Sequence, residues 1–283
     1  MLKKFTVVLF AVILTTFGPY WAMAEEQVPA MNLNGVPLYF VNNINPIIRN
    51  GSIFVPLREF TQTLGGQINW NSSTDTVDLE IPHAVASNTQ NQVYLYPFEC
   101  SKSAYKGFVL ESNRQRKYFD WTALTSREVQ LACLDINKDD RDEIVVILCQ
   151  ATGTGVAQYE IHILDMETFA EIPVENPLDY ISREVRTLIT QTSTELLIDI
   201  KIGDKESHLC RRGLPVFAND NIYFGNVIRY ETEGPNVYCT VAGQYSPGGF
   251  VGDFRVYYEY DTATQSMKAF KVVFEEYDNR VGS

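Results

Sequence analysis

Residues 129–148 read Val129-Gln130-Leu131-Ala132-Cys133-Leu134-Asp135-Ile136-Asn137-Lys138-Asp139-Asp140-Arg141-Asp142-Glu143-Ile144-Val145-Val146-Ile147-Leu148. Val129, Leu131 and Cys133 recur with the period of a half-buried strand, and Ile144 to Leu148 is a wholly apolar run of the kind a strand covered on both faces shows. Between them, residues 135–143 place oxygen side chains at their first, third, fifth and ninth positions: Asp135, Asn137, Asp139 and Glu143. The succession predicts a hairpin within a β fold. The oxygen spacing suits a hard cation, because calcium takes six to eight oxygens at roughly 2.3–2.6 Å and a tight loop can turn alternate carboxylates inward. The competing reading is an acidic turn that only solvates the hairpin.

Residues 93–283 repeat the strand pattern on both sides of this hairpin. Tyr159, Ile161 and Ile163 alternate, as do Leu196, Ile198, Ile200 and Ile202. Runs at 222–230, 237–241, 254–260 and 267–274 are also strand-like, with turn residues between nearly every pair. One helix interrupts them. Asn176 can cap it, Pro177 suits its first turn, and Leu178, Ile181, Val185 and Leu188 recur on one face. Gly153-Thr154-Gly155 lacks the Gly-Lys-Ser/Thr ending of a phosphate loop and leads into a strand, so it reads as a hairpin connection. Residues 93–283 are thus expected to form a mainly antiparallel β domain with one helix.

Residues 31–81 form a separate, smaller pattern. Met31, Leu33, Leu38 and Phe40 flank Asn34-Gly35, a dipeptide that favours tight hairpins because both residues tolerate positive φ. Asn50-Gly51 is a second such turn before Ile53-Phe54-Val55. Pro56 can open a helix along which Leu57, Phe60 and Leu64 recur, and Gly65 can end it. Gln67 to Trp70 and Thr76 to Ile81 bracket a last hairpin turn at residues 71–75. The expected fold class is therefore α+β: a small α+β domain, a polar linker at 84–92, and the β domain.

The chain opens with Lys3-Lys4, an apolar run from Phe5 to Phe17, and Ala22-Met23-Ala24, which together form a secretory signal peptide over 1–24. The apolar run is shorter than the roughly 20 residues a spanning helix needs; retention of the leader as a membrane tether is the alternative. A net charge of −12 with no basic stripe excludes a nucleic-acid surface and argues against docking on anionic membranes after leader cleavage. The five cysteines are an odd count without a C-x-x-C spacing, so at least one thiol is unpaired within the chain. Cys133 and Cys149 read equally as buried small hydrophobes or as disulfide partners. No G-x-S-x-G elbow occurs, and no two of His83, His162 and His208 show the short spacing of metal ligands.

Two resemblances add to this. Asn34-Gly35, Pro46-Ile47-Ile48-Arg49-Asn50-Gly51, Phe54-Val55-Pro56-Leu57-Arg58-Glu59, Leu64-Gly65-Gly66 and Ile68-Asn69-Trp70-Asn71 resemble the copper amine oxidase N-terminal-like, or stalk, domain of exported Gram-positive proteins. The resemblance covers 28–83, with Ser52 where the family usually has Arg. It implies a small α+β module that carries no copper ligands. The 135–143 loop resembles the cation loop of FG-GAP/VCBS repeats, although Asp140 stands where the family prefers Gly. That resemblance implies side-chain ligation of Ca2+ by Asp135, Asn137, Asp139 and Glu143, with the Arg141 carbonyl as a further ligand. A looser likeness joins the 135–143 loop and residues 152–156, 160–164, 249–253 and 257–260 to C-terminal regions found beside stalk modules in exported Gram-positive proteins, and it brings no activity.

The functional expectation is a secreted or cell-wall-associated, non-catalytic binding or scaffold protein. Its β domain would be stiffened by structural calcium, and its partner would be a wall polymer or another exported protein. The alternative is an envelope glycan- or peptide-acting hydrolase that uses carboxylates of the β domain.

Overall fold

A computed structural model describes residues 28–33, 36–38, 40, 44–64, 66–80, 84–212 and 219–277. The leader, the Asn34-Gly35 turn, Gly65 and His83 lie outside these residues. The first described elements are small. Strands β1 (Met31–Leu33) and β2 (Val36–Leu38) pair antiparallel, as do β3 (Ile47–Arg49) and β4 (Ser52–Phe54). The β3–β4 turn is the expected one: Asn50 and Gly51 have φ of 51° and 73°, which glycine adopts without steric cost and asparagine at little. Helix α1 (Leu57–Thr63) follows Pro56, and β5 (Gln67–Asn71) pairs with β6 (Thr76–Glu80).

The larger part consists of three sheets. Strands β7 (Ala86–Asn88), β8 (Val93–Cys100), β9 (Ala104–Ser112) and β10 (Gln115–Leu124) form a four-stranded antiparallel sheet. The principal sheet is built from β11 (Gln130–Leu134), β12 (Glu143–Gly153), β13 (Val156–Asp165) and β14 (Glu171–Ile172), and is continued by four later strands. Helix α2 (Pro177–Glu184) leads to a third, three-stranded sheet of β15 (Val185–Gln191), β16 (Glu195–Ile202) and β17 (Lys205–Arg212). The chain then rejoins the principal sheet through β18 (Val227–Glu233), β19 (Asn236–Ser246), β20 (Gly249–Asp261) and β21 (Ser266–Glu276).

Strand β12 explains the packing. Its run Ile144 to Leu148 is buried on both faces. Ile144, Val146 and Leu148 meet Val93, Leu95, Phe108, Leu110 and Trp121 of the four-stranded sheet. Val145 and Ile147 face the other core, which holds Ile163, Ile181, Ile198, Val241 and Phe254. Each fully buried aliphatic side chain contributes about 1.5–3 kcal/mol, so these two cores hold the β domain together.

The α+β class is overturned: the described residues are 62% strand and 6% helix, and the architecture is β-sandwich-like. The helix expected after Pro56 is present but short, and the second expected helix ends early. Helix α1 has only seven residues, leaves Leu57 exposed and buries Thr61 and Thr63 instead. Helix α2 starts as expected, with Asn176 Oδ1 accepting from the Leu178 N–H at 2.9 Å, but stops at Glu184. Val185 and Leu188 fall on β15, and Leu188 is exposed. Val185, Thr187 and Ile189 are β-branched and alternate, which suits a strand better than another helical turn. Residues 86–88 of the expected linker are strand β7, with the Val85 N–H donating to the Leu95 carbonyl at 2.8 Å.

Two features could not be read along the chain. Strand β13 pairs parallel with β18 at Ala157–Val227 and Gln158–Ile228. The segment after β14 reaches β21, where the Met267 N–H donates to the Pro173 carbonyl and the Glu175 N–H to the Met267 carbonyl, at 2.8 and 2.9 Å. These pairings close β13, β18, β19, β20, β21 and residues 171–175 into a ring.

Candidate functional site

The acidic loop joins β11 to β12, with Leu134 paired to Glu143 at its base. Its oxygen side chains turn inward, onto the loop's own backbone. Asp135 accepts from the N–H groups of Asp139 and Asp140 at 3.1 and 3.2 Å, and Asn137 Oδ1 also accepts from Asp139 N–H at 2.9 Å. Asp139 accepts from Arg141 N–H at 3.0 Å. The Glu143 carboxylate accepts from the Ile136 and Asn137 N–H groups at 2.9 and 3.3 Å and from Asn137 Nδ2 at 2.8 Å. The sharp turn falls where the spacing requires it, with φ of 64° at Lys138 and 65° at Asp140.

Glu143 anchors this arrangement from the core side at 2% exposure. Burial pushes its carboxyl above the usual carboxylate range, the Ile136 and Asn137 N–H groups pull it back, and the charges of Asp139 and Asp135 add to the rise. The Arg141 side chain points away and donates to Glu167 at 3.1 Å. Among the described residues no group of three or more His, Cys, Asp or Glu is arranged as a metal cluster. The loop is closed by its own hydrogen bonds, and its donor set of three carboxylates and one amide is the chemistry a hard cation takes.

A second feature escaped the sequence reading. Trp121 stacks on His162 with ring centroids 4.1 Å apart and on Phe119 at the same distance. His162 Nδ1 is 2.7 Å from Glu171 Oε1, while Nε2 is buried without a partner, 4.0 Å from Glu160 Oε2. Glu160, His162 and Glu171 line a cleft of about 660 Å3 with Tyr159 and Tyr230. The available signal was the period of two that puts Glu160 and His162 on one face of β13. His208, by contrast, lies on β17 beside Asp199 at 2.7 Å, and that hydrogen bond raises its pKa.

The remaining motifs settle as connections. Gly153 and Val156 pair across a hairpin turn in which Gly155 has φ 71°, and Ser246 pairs with Gly249 across the Pro247-Gly248 turn. All five cysteines are free thiols. Burial pushes the Cys133 thiol up to about 12, which keeps it protonated and unreactive.

Residues 32–100 match the family model of the copper amine oxidase N-terminal domain. The match runs past Glu80 through β7 and β8, beyond the boundary expected at 83, and ends before the acidic loop. No curated protein matches the chain, and no solved structure does. The expected relation of the acidic loop to FG-GAP/VCBS repeats is not supported by these comparisons.

Proposed function

We propose that the protein is an exported, non-catalytic binding or scaffold protein whose leader is removed and whose β domain is stiffened by a calcium ion at residues 135–143. In this reading the N-terminal module supplies attachment or spacing, and the β domain presents a surface to a wall polymer or another exported protein. The observation that carries it is electrostatic. Asp135, Asp139 and Glu143 converge on one loop, Glu143 is buried, and among the described residues none of the three forms an ion pair with a basic side chain. A divalent cation relieves that repulsion, and the ligands would be Asp135, Asn137, Asp139 and Glu143 with the Arg141 carbonyl.

Calorimetric titration of calcium into the full chain and into the Asp135→Ala/Asp139→Ala variant tests the reading. One binding event in the parent and none in the variant is expected; equal isotherms remove the ion from the account. The second reading, a hydrolase, draws support from Glu160 and Glu171 sharing one cleft. Turnover of a wall glycan or peptide that disappears in Glu160→Gln would replace the non-catalytic reading.

A further inference from the structure

The cleft at β13 is more than a surface depression. Gln158 is the last residue of β13 that pairs with β18, and Ile163 is the first that pairs with β14. Residues 159–162 between them have a strand partner only on the β12 side. The ring of strands therefore has a gap, flanked by β18 and by residues 171–177, and the cleft of about 660 Å3 opens at it. An unpaired strand edge presents N–H and C=O groups that another extended chain can satisfy. At about 3.3 Å per residue, four open residues match a partner of four to five residues, and the volume is in the range of ordinary ligand sites.

The charge around the gap is one-sided. Glu160, Glu171 and His162 line the cleft, and among the described residues no Lys or Arg does. Among the described residues the Glu160 carboxylate makes no hydrogen bond, and it lies 4.0 Å from the unpartnered Nε2 of His162. Ile172, Val174 and Ile228 supply apolar wall. We propose that this cleft binds an extended basic peptide segment, which pairs its backbone with the open edge at residues 159–162 and sets a lysine or arginine side chain against Glu160 and Glu171. A neutral glycan would stack on the tyrosines and donate its hydroxyls to the carboxylates but would leave the open strand edge unpaired, so the edge favours the peptide.

The inference rests on reading the β domain as a binding module, and it does not depend on calcium. Its test is calorimetry on the full chain with three probes: the capped pentapeptide Val-Lys-Val-Lys-Val, the same peptide with both lysines acetylated, and a linear β-1,4-linked N-acetylglucosamine tetramer. The basic peptide is expected to bind, the acetylated copy to bind about tenfold more weakly or not at all, and the tetramer not to compete. Glu160→Gln/Glu171→Gln should weaken the basic peptide by about tenfold with little change in melting temperature, since both carboxylates are exposed and a glutamine amide at 171 can still pair with His162 Nδ1. Methylating alternate peptide nitrogens should abolish binding in one register only, the mark of an edge pairing. Equal binding of the acetylated copy, indifference to the double substitution, capture of the tetramer alone, or no peptide binding overturns the proposal. Peptide binding by the parent chain beside a blank calcium titration of that same chain would overturn the calcium reading and leave the cleft standing. An intact calcium isotherm without peptide binding would do the reverse.

Discussion

The N-terminal elements β1 to β6 and the β domain that follows them are built on opposite terms. In the first, Ile53, Phe54, Leu57, Trp70, Val77 and Leu79 are exposed, every residue of β6 is exposed, and the pairings are two-stranded. In the second, two cores share one strand, β12, whose apolar run is covered on both sides. Yet most of the family match lies in the first and nothing matched the second as a whole. The difference teaches that a recognisable pattern of turns and surface residues need not be where the folding energy resides. Isolated two-stranded hairpins are marginal at best in water, whereas packed sheets with a dense core are not.

The sharpest way to break this contrast is to remove buried volume. Ile144→Ala, at a position with 0% exposure, should cost about 2–5 kcal/mol in urea unfolding of the full chain. Trp70→Ala, 55% exposed, should stay within about 0.5 kcal/mol. Equal costs would mean that the N-terminal elements carry a core of their own. Next in size is the loop: Glu143→Ala leaves the Ile136 and Asn137 N–H groups without their acceptor and should cost about 1–3 kcal/mol without calcium.

Protonation sharpens the comparison further. Because the folded Glu143 carboxyl sits above its ordinary range, the fold holds this proton more tightly than the unfolded chain does. The stability it contributes is complete below about pH 4, the ordinary carboxylate pKa, and is lost as pH rises through the raised value. Glu143→Gln should remove that loss, and a stability profile against pH measured without calcium reads it directly. The smallest expected effect is at the surface. The His208 imidazole should titrate above its ordinary range by NMR and return towards it in Asp199→Asn, with little change in melting temperature.

Local patterns in this chain were legible wherever one strand carried its own signal. Leu131 and Cys133, Ile144 to Leu148, Tyr159 to Ile163 and Leu196 to Ile202 all fall in strands, and Asn176 and Pro177 do open a helix. The side chains of Asp135, Asn137, Asp139 and Glu143, expected to turn onto a cation, accept from the loop's own backbone N–H groups and from Asn137 Nδ2. What failed was ambiguity of period and distance along the chain. Leu178, Ile181, Val185 and Leu188 fit a helix of 3.6 residues per turn, yet the last two belong to a strand whose alternation begins at Val185. The parallel pairing of β13 with β18 and the closure of residues 173–175 onto Met267 join segments far apart in sequence, so the open edge between them had no local sign. Glu160 and His162 were visible as strand residues, but their cleft exists only because two strands part beside them.

The most direct test of the calcium brace is amide hydrogen exchange along the β11–β12 hairpin of the intact chain, measured with and without calcium. Binding at the loop predicts slower exchange at Ile136, Asp139, Asp140 and Arg141 when calcium is present, and no such slowing in Asp135→Ala/Asp139→Ala. Exchange at those four amides that is the same in both conditions, from a protein that remains folded, would contradict it.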